Sequence, residues 1–278
     1  DLNASYYTIE QPYTLMYTTA SQASYIIETA PSVDFSGNEE LRNAYMGEAY
    51  FWRAFAHYYL LINFRNISPI RQMPRNGDDY VRPLEKPAAV WNFIQEDLAH
   101  AKELLPVKGY WDSKNAGRVT KASAAALLGK AYLYRSGIEQ YYGEDKTTFY
   151  SEAAKEFGDV IDGKYGTYDL TKNYADNFDV EKENGQESIF EIQYKRNTPG
   201  VSGSNYNGYY RPPFVNINGW VGYGDDPVTR NHYECYEEGD LRRDVNVRLY
   251  TKEEYPNMSS NYEFPCYVNK FQDPSPLA

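Results

Sequence analysis

Glu48 and Arg53 stand out in Gly47-Glu48-Ala49-Tyr50-Phe51-Trp52-Arg53-Ala54-Phe55, a stretch otherwise made of small and aromatic residues. A carboxylate can act as a general acid or base, but glycoside hydrolysis needs a second one about 5–10 Å away across a cleft. The sequence proposes no such pair, so Glu48 and Arg53 read as structural, held by charge-assisted hydrogen bonds within packed helices. Asp176, Asp179, Glu181 and Glu183 offer oxygen ligands for Ca²⁺, yet the EF-hand spacing and its central Gly are absent, and a solvated loop is favoured. Gly200-Val201-Ser202-Gly203-Ser204 lacks the register of a nucleophile elbow. The three His (His57, His100, His232) are scattered, and Cys235 and Cys266 have no zinc-like spacing. Two cysteines make no disulfide framework, and free structural thiols are favoured over a single bridge. With no nucleophile–base arrangement and no phosphate-cradling Gly loop, the expectation is a protein that is not an enzyme, with no cofactor and no metal.

A different chemistry is offered by Asn205 to Tyr223, which interleaves rings with amides and one guanidinium. Sugars present apolar C–H faces that stack on rings, and hydroxyl rims that seek amide and guanidinium partners. Tyr209, Tyr210 and Trp220 are the candidate stacking rings; Arg211, Asn216 and Asn218 are the candidate hydroxyl partners. The competing reading, that the rings pin the loop to the body, carries equal weight for the loop and is favoured for Tyr223. Composition agrees with a ligand surface of this kind without proving one. Aromatic residues make up 17% of the chain, including 30 Tyr, a ring type suited to half-wet contacts. A net charge of -11 and the lack of any clustered basic footprint exclude nucleic acid as a natural partner.

Helices must position these groups. Leu41 to Arg65 is apolar on two sides at helical spacing, so it is expected as a central helix with Trp52, Phe55 and Tyr59 buried. Arg42, Glu48, Arg53 and His57 make it too polar to cross a bilayer. A helix over Leu2 to Thr29 precedes it, bent or restarted at Pro12, and Asn38 is placed to cap the central one. Ala88 to Leu105 and Lys121 to Arg135 form a second pair, the latter Ala-rich and stopped by Gly137. A third unit begins near Thr147 and ends before Gly163. Leu128-Gly129-Lys130-Ala131-Tyr132 and Tyr150-Ser151-Glu152-Ala153-Ala154 are similar to pieces of the tetratricopeptide pattern. After Gly163 the texture is Gly-, Asn-, Pro- and Tyr-rich. Ser188 to Tyr194 alternates like a strand, a long loop runs from Asn197 to Asp226, and Asp226 to Glu237 reads as one more helix. The fold class is therefore mainly α: a tetratricopeptide-like helical scaffold over 1–163, with a loop-rich part carrying short strands over 164–278.

The run from Gly47 to Phe55, with Tyr58-Tyr59-Leu60-Leu61 and Ile67-Ser68-Pro69-Ile70 behind it, resembles the G-E-A-x-F-x-R-A signature of SusD/RagB-type proteins. Gly117-Arg118-Val119-Thr120-Lys121, Asn184 to Ile192, Pro227 to Asp244 and Tyr267-Val268-Asn269-Lys270-Phe271 follow that family's pattern in order. One departure is Ala23-Ser24, where the family often has Ala-Asn. The resemblance implies a surface glycan-binding lipoprotein of the outer membrane that hands oligosaccharide to a SusC-like TonB-dependent transporter. It also implies that the lipid-anchored N-terminal part and the late C-terminal helices, rich in Ala and Glu, are missing from this chain, so any membrane attachment lies outside it. The rival readings are a helical-repeat adaptor for protein partners and, behind it, a glycoside hydrolase.

Overall fold

The computed structural model describes residues 6–143, 146–194, 206–217 and 220–270. They form two compact units, Asp1–Tyr168 and Asp169–Ala278. The first unit holds helices α1 (Tyr7–Thr29), α2 (Glu39–Phe64), α3 (Pro87–Leu104), α4 (Lys121–Tyr142) and α5 (Tyr150–Ile161). Each packs on the next in chain order. The protein is thus mainly α, and among the described residues the short strands lie in the second unit. No helix among the described residues is long and apolar enough to cross a membrane.

Local chemistry sets most helix ends. The Asn38 side chain accepts from the Leu41 amide at 3.0 Å, filling one of the orphan donors at the start of α2. At α4, Thr120 and Ser123 form a reciprocal capping box. α1 does not restart at Pro12, and α4 does not stop at Gly137. α1 is continuous through Pro12, whose missing N–H falls in the second turn and removes a single helical bond. α4 passes Gly137 and ends at Gly143, which has φ 69°. Ser136 and Glu139 are buried on either side of Gly137, and their packing outweighs the roughly 1 kcal/mol that a mid-helix Gly costs.

The buried side of α2 is also not the expected one. Phe51, Ala54, Tyr58 and Leu61 are buried, whereas Trp52 and Phe55 are half-buried and Tyr59 is 36% exposed. The helix lies between α1 and α3, and the Tyr58 ring meets Trp91 of α3 at 5.9 Å. Trp52, Phe55 and Tyr59 instead form a ring row along one edge, at 5.3 and 4.7 Å.

In the second unit, elements are short. Helix α6 (Tyr206–Tyr210) precedes a hairpin of β1 (Asn216–Ile217) and β2 (Trp220–Val221). Helices α7 (Arg230–Glu234) and α8 (Arg242–Asn246) lead to β3 (Val247–Leu249), which pairs antiparallel with β4 (Cys266–Val268). The helix expected over Asp226 to Glu237 shrinks to α7, started by the Thr229 side chain. Among the described residues Ser188 to Tyr194 carries no strand, and Glu187, Glu191 and Gln193 bond to Thr171, Asn177 and Asn184. Alternation makes a strand possible, but only a neighbouring edge makes one. Phe214, Val215, Tyr250, Met258 and Tyr267 form a core cluster of this unit.

Candidate functional site

The signature charges are bound to partners far away in sequence. Arg118 grips Glu48 through two nitrogens, with Nε at 2.7 Å from Oε1, and its guanidinium lies over both Tyr45 and Trp111. The Glu48 carboxylate raises the pKa of Arg118 further, so the guanidinium stays charged. Arg53 holds Asp97 at 2.7 and 2.8 Å, and donates to the Arg71 carbonyl and the buried Ser24 hydroxyl. Ser24 passes the contact on to the Ile70 carbonyl. Burial raises the pKa of Asp97 against the pull of Arg53. His57 is fully buried, with Nδ1 at 2.8 Å from the Arg53 carbonyl and Nε2 accepting from the Ile70 amide. That amide bond assigns the proton to Nδ1, and burial lowers the pKa of the ring to about 4. Glu139 accepts from Arg65 and from Trp91 Nε1. These side chains lock helices together; Glu48 has both oxygens engaged and is not presented as a catalytic acid.

Other expected groups are equally settled. Cys235 is free and exposed, Cys266 free and buried, the latter thiol pushed up to about 11 by burial. In the acidic run, Lys182 pairs with Asp176 and Asp179 at 2.8 and 3.5 Å. No group of three or more His, Cys, Asp or Glu among the described residues is arranged to hold a metal ion.

The ring-and-amide stretch folds back on itself. The amides of Tyr223, Gly224 and Asp225 donate to the carbonyls of Gly208, Arg211 and Tyr209 at 2.9, 3.0 and 2.9 Å. Phe214 anchors the turn in the core cluster, and its carbonyl accepts from Asn257. On this clasp, Tyr209 is 38% exposed and Tyr223 74% exposed, with ring centroids 5.7 Å apart and planes 33° from parallel. Tyr210 is half-buried and Asn216 exposed at the hairpin. Arg211, expected to reach hydroxyls, is only 4% exposed; burial lowers its pKa, and its backbone forms part of the clasp. Asn218 and the Trp220 side chain lie outside the described residues. Tyr223, read from sequence as packing, is instead the most exposed of the described rings in the group. Its flanking glycines, Gly222 and Gly224, were the available signal, because they let the backbone press inward while the ring stays out.

The chain can be placed among known proteins. Residues 1–133 match the SusD-like family model described as starch-binding associating with outer membrane. A SusD-like protein of Bacteroides ovatus is 28% identical over 179 residues, 64% of this chain and 31% of that protein. A laminarin-binding SusD-like protein superposes with a TM-score of 0.77 at 23% identity, covering 94% of this chain and 58% of its own. Surface glycan-binding protein A from Bacteroides thetaiotaomicron, solved with laminarihexaose, gives 0.75 at 20% identity, covering 94% and 56%. Sequence and fold agree: residues 1–133 match the SusD-like family model, and the fold over most of the chain is shared with solved SusD-like proteins. It spans about a third of the length of that Bacteroides ovatus relative and somewhat over half of the solved neighbours.

Proposed function

We propose that this chain is the glycan-capturing part of an outer-membrane uptake complex. It holds a neutral oligosaccharide without cleaving it and passes it to a SusC-like TonB-dependent transporter. The observation that carries the reading is the exposed Tyr209–Tyr223 ring pair on a main-chain clasp. Two rings side by side offer stacking faces to neighbouring sugar units, and Asn216 supplies an amide close in sequence for hydroxyls. Tyr210, Trp220 and Asn218 complete the proposed contact set, with Arg211 beneath it as the floor. The non-catalytic role is supported by the engagement of Glu48 with Arg118 and by the family itself. Outer-membrane placement is supported by the family description, and the transporter partner only by what the sequence resemblance implies.

Calorimetry of the 278-residue chain with laminarihexaose, the ligand of a structural neighbour, tests the site. Tyr209→Ala and Tyr223→Ala are each expected to weaken binding at least about tenfold, the usual scale for a ring anchor. Unchanged affinity in Tyr209→Ala, Tyr210→Ala, Trp220→Ala and Tyr223→Ala alike would overturn the site. A reducing-sugar assay run alongside is expected to stay flat; turnover abolished by mutating one carboxylate would overturn the non-catalytic role.

A further inference from the structure

A Cβ placed on Gly222 would lie 1.8 Å from the carbonyl oxygen of Arg211, 2.4 Å from its carbon and 2.6 Å from its Cβ. No side chain fits that space, and the obstacle is mostly backbone, which cannot swing away as a side-chain tip can. Two residues on, Gly224 has φ +73° and would place a Cβ 2.6 Å from Pro213 Cδ. Between them sits Tyr223, whose amide is tied to Gly208 and whose ring leans on Tyr209. The strand of chain at 222–225 therefore lies in backbone contact with 208–211 only because residues 222 and 224 lack side chains. Phe214, at the turn between these two stretches, is buried in the core cluster, so the clasp has a fixed base.

From this geometry we propose that Gly222, with Gly224 as its second clamp, is a positioning residue for sugar binding. It touches no ligand; it sets the Tyr223 ring beside Tyr209 as a preformed two-ring platform. The proposal rests on the glycan reading above and adds to it which backbone contact makes the platform. Preorganisation of this kind spares the ordering cost of two mobile rings when ligand arrives.

The test uses the 278-residue chain with laminarihexaose as probe and hydrogen exchange as a ligand-free readout. Gly222→Ala is expected to speed exchange at the Tyr223, Gly224 and Asp225 amides while helices α1–α5 keep their protection. Its affinity is expected to fall at least about tenfold, as in Tyr223→Ala. A simple loss of stability would add to a ring deletion; a positioning role would not. The double variant of Gly222→Ala with Tyr223→Ala is therefore expected within about twofold of the weaker single variant. Gly224→Ala repeats the test if Gly222→Ala does not fold. Affinity within twofold of the parent chain in Gly222→Ala, beside a tenfold loss in Tyr223→Ala, overturns the positioning role and leaves the glycan reading standing. Additive losses, or unchanged exchange at the three amides, also overturn it. Undiminished binding in Tyr209→Ala, Tyr210→Ala, Trp220→Ala and Tyr223→Ala alike removes the glycan site on which the proposal rests.

Discussion

The helical body and the second unit hold their shapes by different means. In the body, charged side chains bridge helices over long sequence separations: Glu48 to Arg118, Arg53 to Asp97, Arg65 to Glu139. In the second unit, ion pairs are mostly exposed and local, such as Arg242 with Asp240, and the described core cluster is built around aromatic rings. Buried ion pairs specify which helix face meets which, because an unmatched buried charge is costly. Rings and glycines specify something else, a close backbone fit with side chains lifted outward. The first arrangement suits a scaffold, the second a contact surface.

The largest effects should come from the centre of each arrangement. Arg53→Ala strands the buried Asp97 carboxylate, and a loss of about 3–5 kcal/mol is expected in chemical denaturation. Phe214→Ala removes the ring that Tyr250, Tyr255, Tyr262 and Tyr267 all touch, and about 3–5 kcal/mol is expected there too. What separates the regions is the rescue. Joining Arg53→Met with Asp97→Leu should recover all but about 2 kcal/mol, since a matched apolar pair replaces a matched ionic one. Phe214→Met should recover all but about 1.5 kcal/mol by volume alone. If the double apolar replacement fails to rescue the first site, the contrast between the two regions is lost.

A smaller effect sharpens the comparison through pH. His57 has its pKa lowered from 6.5 to about 4, so below pH 6.5 the unfolded chain takes up a proton that the folded chain refuses. Stability is therefore full above pH 6.5 and falls as pH drops toward 4, by about 3 kcal/mol in all. Thermal melts from pH 7 to 5 should show this slope, and His57→Gln should flatten it. A slope unchanged by that substitution would assign the loss to other groups. Smallest is Asn38→Ala, which removes the α2 cap and is expected to cost about 1 kcal/mol without altering ligand affinity.

Much of the body was legible because helix signals are local. The 3–4 spacing of apolar residues, Asn38 before α2 and Thr120 before α4 act within a few residues, and all appear in place. The sequence also carried the family signature, whose members share the observed fold. Spacing did not choose which side of α2 is buried: apolar residues line both sides, and the choice fell to Tyr58 when α3 brought Trp91 against it. Nor did it show that Glu48 meets Arg118 or that Ser24 stands under Arg53, since those contacts cross 70 and 29 residues.

In the second unit local signals decide less. Ser188 to Tyr194 alternates as a strand should, yet a ladder needs a partner edge, which is a tertiary fact. The interleaving of rings and amides from Asn205 to Tyr223 raised the expectation of a contact surface, but did not show which rings face out. Composition set the aromatic character and the acidic charge of this protein, and the local order of residues set its helical body. Tertiary structure decided that Arg211 turns inward and Tyr223 outward, because exposure follows from the close passage of Gly222 against a distant carbonyl and not from residue type.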